Sequence, residues 1–239
     1  MATSTTQMQE YPDTALSIQS FLFVLLAMGV GAFAAVLILP IWLPNMSSSI
    51  FGAEVKAYWY ISRGTGFVGL SLVWLSMVLG LLVTNKLAKL WPGVPASFAI
   101  HEYVSLLGLG FIILHAVILM GDQYINFNLF SILVPFASSY EPFWVGMGQL
   151  GFYGILLLSL SFYVRKQIGQ KTWRSLHYLS FLTYILALFH GLASGTDTSL
   201  PWAQSYYWYS AGSLLFLVVY RVLTGLFFRD KKKTVRAKA

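Results

Sequence analysis

The four histidines of this 239-residue chain all lie in strongly apolar segments, where they occur in pairs. His101 and His115 are 14 residues apart in one segment, and His177 and His190 are 13 residues apart in another. A neutral imidazole binds metal ions, exchanges hydrogen bonds and titrates near neutral pH. Polar side chains are costly inside a membrane and mark functional positions there. The pairing therefore indicates a site built from these histidines.

The segments that contain the histidines are long enough to cross a bilayer. The chain is 57% hydrophobic and 10% charged, with a mean hydropathy of +0.70, whereas about 25% of the residues in a soluble domain are charged. A helix needs about 20 apolar residues to cross the hydrocarbon core. Such stretches occur at residues 20–43, 57–83, 98–120, 143–165, 174–194 and 206–228. We predict an all-α integral membrane protein with six transmembrane helices over residues 20–228, a polar tail (1–19) and a basic tail (229–239).

Basic residues are concentrated on one side of this predicted bundle. Loops 84–97 and 165–174 and the C-terminal tail contain lysines and arginines, while the opposite loops also contain acidic residues. By the positive-inside rule, we predict a multi-pass protein of the cell membrane with both termini in the cytoplasm. The basic tail is expected to bind lipid headgroups, so the net charge of +7 does not indicate nucleic acid. The chain has no cysteine, which excludes disulfides and thiolate metal sites.

The histidine spacing predicts two levels within the bundle. The third and fifth segments run in the same direction, and their histidine steps correspond to about 21 Å and about 19.5 Å of helix. His101 and His177 should share a level near the cytoplasmic face, and His115 and His190 a level near the outer face. Facing imidazoles hold a b-type haem. Zinc or copper could also use histidine ligands, but matched pairs about 20 Å apart suit two separate two-ligand sites better than one four-ligand site.

The angular positions on the two helices differ. A 14-residue step brings His115 back to within about 40° of His101, with Gly108 midway on the same stripe. That glycine would allow close approach of a porphyrin, or simply of another helix. A 13-residue step leaves His190 about 140° from His177 on a straight helix. A distorted helix, laterally offset haems or different rotamers would each resolve this mismatch.

The two histidine segments, "HEYVSLLGLGFIILH" and "WRSLHYLSFLTYILALFHG", resemble the ferric reductase-like transmembrane domain family. This superfamily includes NADPH oxidases, ferric reductases and the haem subunit of the bacterial periplasmic methionine sulfoxide reductase system. The resemblance extends from about residue 57 to 228. It implies electron transfer through two stacked b-type haems, from a reduced cytoplasmic flavin to an acceptor outside. His101, His115, His177 and His190 would be the axial ligands.

Three arginines are candidate partners of the haem propionates under this resemblance. Arg63, in "YISRGTGFVGL", matches a basic position beside the outer haem and would pair with a propionate or an anionic acceptor. Arg174 and Arg221 are placed to reach propionates in the same way. For Arg63 and Arg174, an ordinary position at the membrane interface is the alternative.

The family pattern is incomplete in this chain, because we expect no FAD or NADPH domain. The G-x-G-x-x-G pattern occurs at residues 64–69 and 146–151, but both copies lie within predicted transmembrane spans and not between a strand and a helix, so neither is a dinucleotide-binding fingerprint. We therefore expect an oxidoreductase subunit that takes electrons from a separate cytoplasmic flavoprotein or from quinol. The sequence does not identify the acceptor at the outer face, which is a small molecule or a periplasmic partner enzyme. The alternatives are a quinone-reactive di-haem cytochrome b subunit and a haem-free transporter or metal-binding membrane protein.

One further apolar run, within "GDQYINFNLFSILVPFASSYEP", is too short to span. We predict a re-entrant or amphipathic piece at the outer interface, which either caps a site or fills a gap.

Overall fold

A computed structural model describes residues 16–42, 57–85, 87, 93–122 and 125–236 of the chain, with backbone alone at residues 40 and 227–236. Helices dominate these ranges, and no strand occurs within them. Six helical stretches are long and apolar enough to cross a membrane: Ile18–Leu39, Ala57–Thr84, Val94–Gly121, Pro142–Tyr163, Gln170–Ser194 and Pro201–Leu226. The predicted six-helix membrane protein is confirmed to that extent. Most of the predicted N-terminal tail lies outside the described residues.

The residues that the structure describes form nine α-helices, some of them short. In chain order they are α1 Ile18–Trp42, α2 Ala57–Thr84, α3 Val94–Val117, α4 Leu129–Leu133, α5 Pro142–Tyr163, α6 Arg165–Ile168, α7 Gln170–His177, α8 Leu179–Ser194 and α9 Pro201–Arg236. A 3₁₀ turn, Ile118–Gly121, continues α3. The last helix begins at Pro201 rather than at residue 206, and it continues into the segment predicted as a basic tail.

Large apolar side chains cover the outside of the bundle, as expected for helices in contact with lipid. Phe23 is 72% exposed and Trp208 is 79% exposed. In water such a surface would be unfavourable, because burying apolar area contributes about 25 cal/mol per Å². The exposed aromatic and aliphatic side chains are therefore positions for lipid tails.

Each helix with histidines packs against a glycine-containing helix that precedes it. The closest helix pairs are α2 with α3 and α5 with α8, while α1 adds to α3 and α9 to α2. A Cβ atom on Gly69 of α2 would lie 3.1 Å from Ile112, and one on Gly151 of α5 would lie 3.4 Å from the Thr183 carbonyl oxygen. The missing side chains allow the backbones to approach closely. Glycine thus determines which helices position the histidines.

The fifth span is interrupted at Tyr178, between α7 and α8. His177 is the last residue of α7, and the Phe181 amide donates to the Tyr178 carbonyl three residues earlier at 3.3 Å. A three-residue repeat turns the chain by about 120° per residue instead of about 100°, so a tightened turn adds rotation. This shifts the 13-residue histidine step towards a whole number of turns. A distorted helix is therefore part of how the predicted angular mismatch is resolved.

Candidate functional site: two facing histidine pairs

The four histidines of α3, α7 and α8 meet as two facing pairs. The ring centres of His101 and His177 are 6.2 Å apart with an interplanar angle of 71°, and those of His115 and His190 are 6.0 Å apart at 79°. These are the two pairs expected from the sequence spacing. Two imidazoles on one metal ion, each with a bond of about 2.0–2.1 Å, have ring centres about 6.3 Å apart. Each pair therefore has the separation needed to hold one metal ion between its rings.

Three of the four imidazoles are oriented by backbone carbonyl groups through Nδ1. The bonds are His101 Nδ1 to Ser76 O at 2.9 Å, His115 Nδ1 to Ser62 O at 2.7 Å, and His190 Nδ1 to Trp144 O at 3.0 Å. A carbonyl oxygen only accepts, so Nδ1 must be the protonated nitrogen. The lone pair of Nε2 is then available to a metal ion, as in most histidine metal sites.

A glycine four residues after each of these carbonyls makes room for the ring. A Cβ atom on Gly148 would lie 2.6 Å from His190, one on Gly66 would lie 2.9 Å from His115, and one on Gly80 would lie 3.6 Å from His101. Residues i and i+4 share a helix face, so a side chain at the glycine would cover both the carbonyl and the ring. The glycines are thus part of the seat of the imidazoles.

Sequence reasoning missed this seat, although α2 contains a signal for it. The pattern S-x-x-x-G occurs twice there, at residues 62–66 and 76–80. The 14-residue step between its copies equals the step from His101 to His115 on the antiparallel neighbour α3. Each serine hydroxyl also lies near its imidazole, at 3.1 Å for Ser62 and 3.2 Å for Ser76. The S-x-x-x-G pattern of α2 therefore repeats with the same 14-residue step as the histidines of α3.

His177 is positioned differently from the other three. Its ring stacks on Trp173 of the same helix, with ring centres 5.1 Å apart and an interplanar angle of 30°. Among the described residues, its ring nitrogens make no hydrogen bond, and no glycine of α5 faces it. An aromatic contact replaces the carbonyl and glycine at this position.

A cavity of about 500 Å³ surrounds the His115–His190 pair. Its walls come from α2, α3, α5 and α8, and they include both histidines, Gly66 and Gly148. Cofactor sites commonly have about 300–1,000 Å³ of mostly apolar space with a few polar groups. The ring separation, the Nδ1 bonds and the glycine-lined space fit a haem held by this pair.

The segment 125–141, called the cap segment here, forms part of the wall of this cavity. Its helix α4 begins at Asn128, whose side chain and that of Ser131 form a reciprocal capping box. Phe127, Ser131 and Ile132 line the cavity. Of the two roles predicted for this apolar run, the geometry favours capping a site.

Gln149 of α5 fastens the cap segment to the bundle. Its amide nitrogen donates to the carbonyls of Ser131 at 2.8 Å and Ile132 at 2.7 Å, and its carbonyl oxygen accepts from the Phe136 amide at 3.2 Å. The side chain is buried. A buried amide with its hydrogen bonds satisfied stabilises one arrangement, because leaving any of these groups unpaired is costly.

Arg63 lines the cavity but is already paired with an acidic side chain. Its Nε donates to Asp197 Oδ2 at 2.8 Å, and its Nη2 also contacts Asp197 Oδ1. The guanidinium lies 5.3 Å from the centre of the Tyr60 ring. The chain thus supplies a bidentate carboxylate for this arginine, and the predicted contact with a propionate or an anionic acceptor stays a prediction.

The other predicted site residues lie away from this cavity. Arg174 is exposed on α7 and Arg221 is half-buried on α9, and neither lines the cavity. A Cβ atom on Gly108 would lie 3.2 Å from Leu72 of α2. This contact agrees with the second interpretation of Gly108, close helix packing, and its role in haem packing stays a prediction. The propionate roles of the two arginines remain untested predictions.

No family model, curated protein or solved structure matches the chain. The resemblance to the ferric reductase-like family therefore depends on the histidine spacing and the quoted segments alone.

Proposed function

We propose that this protein transfers electrons across the cell membrane through two b-type haems, one held by each histidine pair. The observation that supports this most strongly is the meeting of all four histidines as two facing pairs, with ring centres 6.2 Å and 6.0 Å apart. A haem supplies reversible one-electron chemistry when bound, and its protein supplies ligands and environment.

The chain contributes orientation and a mostly apolar environment. Carbonyl groups of α2 and α5 hold protons on Nδ1, so that three imidazoles present Nε2 in the right tautomer without rearrangement. The cap segment and the other cavity walls would surround a haem on the His115–His190 pair with mostly apolar side chains. Both pairs lie between the same parallel helices, at levels separated by about 20 Å along the helix axis. This spacing gives an electron one site near each membrane face.

The proposed direction is from the cytoplasm outwards. It is supported by the basic loops and tail, which favour cytoplasmic termini; with that orientation, His101 and His177 would lie at the cytoplasmic end. The donor is then a cytoplasmic flavoprotein or membrane quinol, and the acceptor is a molecule or protein at the outer face.

An optical spectrum of the purified full-length chain tests the proposal. We expect a reduced b-type spectrum with two haems per chain, and about one haem after the double replacement His115→Ala/His190→Ala. Tyr103→Phe is the matched control on α3, because Tyr103 is 67% exposed and belongs to neither pair. A folded wild-type protein without a b-type spectrum would rule the proposal out.

The donor can be identified with the same preparation. If quinol is the donor, a quinol analogue alone reduces the haems in purified membranes. If a flavoprotein is the donor, reduction requires an added flavin reductase and its nucleotide. Reduction by neither, in protein that dithionite reduces fully, would contradict both donor assignments.

A further inference from the structure

The two histidine pairs differ in how firmly their ligands are held. In the His115–His190 pair, both rings donate to a carbonyl oxygen and both face a glycine. In the His101–His177 pair, only His101 has this arrangement. The difference concerns the immediate surroundings of one imidazole, His177.

The missing hydrogen bond should weaken His177 as a ligand. A partner on Nδ1 fixes the orientation of the ring and makes the imidazole more basic, and loss of such a partner typically lowers metal affinity by about 10- to 100-fold. Stacking on Trp173 at 5.1 Å contributes packing, but it neither accepts the Nδ1 proton nor selects a tautomer. His177 is therefore the least constrained of the four predicted ligands.

The helix that contains His177 is also the shortest of the three that hold the histidines. This residue ends the eight-residue helix α7, and the regular helix resumes only at Leu179. His101, His115 and His190 instead lie within the continuous helices α3 and α8. Local opening occurs most readily where few backbone hydrogen bonds must break. Movement of the His177 ring therefore requires displacement of a short helix only, whereas movement of the other rings requires loss of an Nδ1 hydrogen bond within a longer helix.

We propose that His177 is an exchangeable axial ligand, so that the His101–His177 site binds a small neutral diatomic molecule in its place while the His115–His190 site does not. This inference rests on the proposed function, because it requires a haem at each pair. It assigns ligand exchange to the pair near the basic loops. The other pair, which is seated on both sides, would transfer electrons only.

Carbon monoxide is a suitable probe of this difference. We expect dithionite-reduced, full-length protein to bind one carbon monoxide per two haems. His115→Ala/His190→Ala keeps only the His101–His177 site, and His101→Ala/His177→Ala keeps only the His115–His190 site. The former variant should bind carbon monoxide about 10- to 100-fold more tightly than the latter. The readout is the carbon monoxide difference spectrum during titration.

The outcomes separate this inference from the proposed function. A b-type spectrum with no carbon monoxide binding, with equal binding at both sites, or with tighter binding by the His115–His190 site would overturn the inference and leave electron transfer in place. Absence of haem would overturn both. If either double variant fails to fold, the number of carbon monoxide molecules bound per two haems in the wild-type protein decides alone. Binding of two molecules, or of none, would contradict an exchangeable His177.

Discussion

At the scale of single residues, glycines make the histidine seats possible. Gly66, Gly80 and Gly148 face imidazole rings, whereas a Cβ atom on Gly64 would meet nothing within 4 Å. Alanine stabilises a helix by about 0.5–1 kcal/mol relative to glycine, so these positions would favour alanine if the rings were not there. The contact distances therefore predict a graded response to substitution.

We expect haem content to fall most in Gly148→Ala, less in Gly66→Ala, and little in Gly80→Ala. A new Cβ atom would lie 2.6 Å, 2.9 Å and 3.6 Å from the respective histidine rings. The first two distances require the ring to shift, and the third is an ordinary van der Waals contact. Haem per chain by pyridine haemochrome assay measures the effect.

Gly64→Ala is the matched control, two residues from Gly66 on the same helix. It should retain full haem content and unfold at the same or a slightly higher temperature. Equal losses in Gly64→Ala and Gly66→Ala would show that helix α2, rather than contact with His115, responds to the substitution.

The ion pair between Arg63 and Asp197 should behave as a coupled unit. The two side chains are 27% and 11% exposed, so each charge is only partly solvated. Removing one partner leaves the other without its counter-charge, which we expect to cost about 1–2 kcal/mol at this partial exposure. Arg63→Gln and Asp197→Asn should each lower the melting temperature of the wild-type protein. Adding the second substitution to either single variant should lower it by less.

A double-mutant cycle on thermal unfolding measures this coupling. Additive losses would mean that the pair does not stabilise the fold. A loss of haem in Arg63→Gln that Asp197→Asn does not share would instead support the predicted contact between Arg63 and a propionate.

At the scale of elements, the cap segment and α5 depend on one amide. Gln149 makes three hydrogen bonds to backbone groups of residues 131–136. Unpaired buried backbone groups cost about 1–3 kcal/mol each. Loss of this side chain should therefore release the cap segment without breaking the α5–α8 contact.

We expect Gln149→Leu to expose the cavity to reagents at least about 10-fold more often, since a loss of about 1.4 kcal/mol corresponds to one order of magnitude. The chain has no cysteine, so Ile132→Cys introduces a unique thiol at the cavity wall. Its rate of maleimide labelling measures opening. Gln204→Leu, at an exposed position on α9, is the control. Equal labelling rates of Ile132→Cys in the presence of Gln149 and of Gln149→Leu would contradict the anchoring role of Gln149.

At the scale of the whole molecule, the orientation of the bundle decides which histidine pair faces which compartment. Basic loops predict a cytoplasmic C-terminus. We expect a C-terminal green fluorescent protein fusion to be fluorescent and a C-terminal alkaline phosphatase fusion to be inactive. The reverse result would invert the donor and acceptor ends of the proposed electron path.

Much of the architecture could be predicted because it depends on local composition and on helix geometry. An apolar segment of about 20 residues can satisfy its backbone in lipid only as a helix. Matched steps of 14 and 13 residues on helices that run in the same direction place histidines at matched depths. These rules led to six spans and to the pairing of His101 with His177 and His115 with His190.

Tertiary structure decided which backbone group holds each imidazole, although the repeated S-x-x-x-G pattern of α2 is a sequence signal for two of the seats. The contact of His190 with the Trp144 carbonyl spans 46 residues, and that of Arg63 with Asp197 spans 134. No local pattern selects such partners, because they depend on how helices pack and rotate against one another. The interruption at Tyr178 likewise follows from packing, since residues 174–194 alone are compatible with a continuous helix. Sequence determined the depth of the histidines, and packing determined that His177 lacks the support given to the other three.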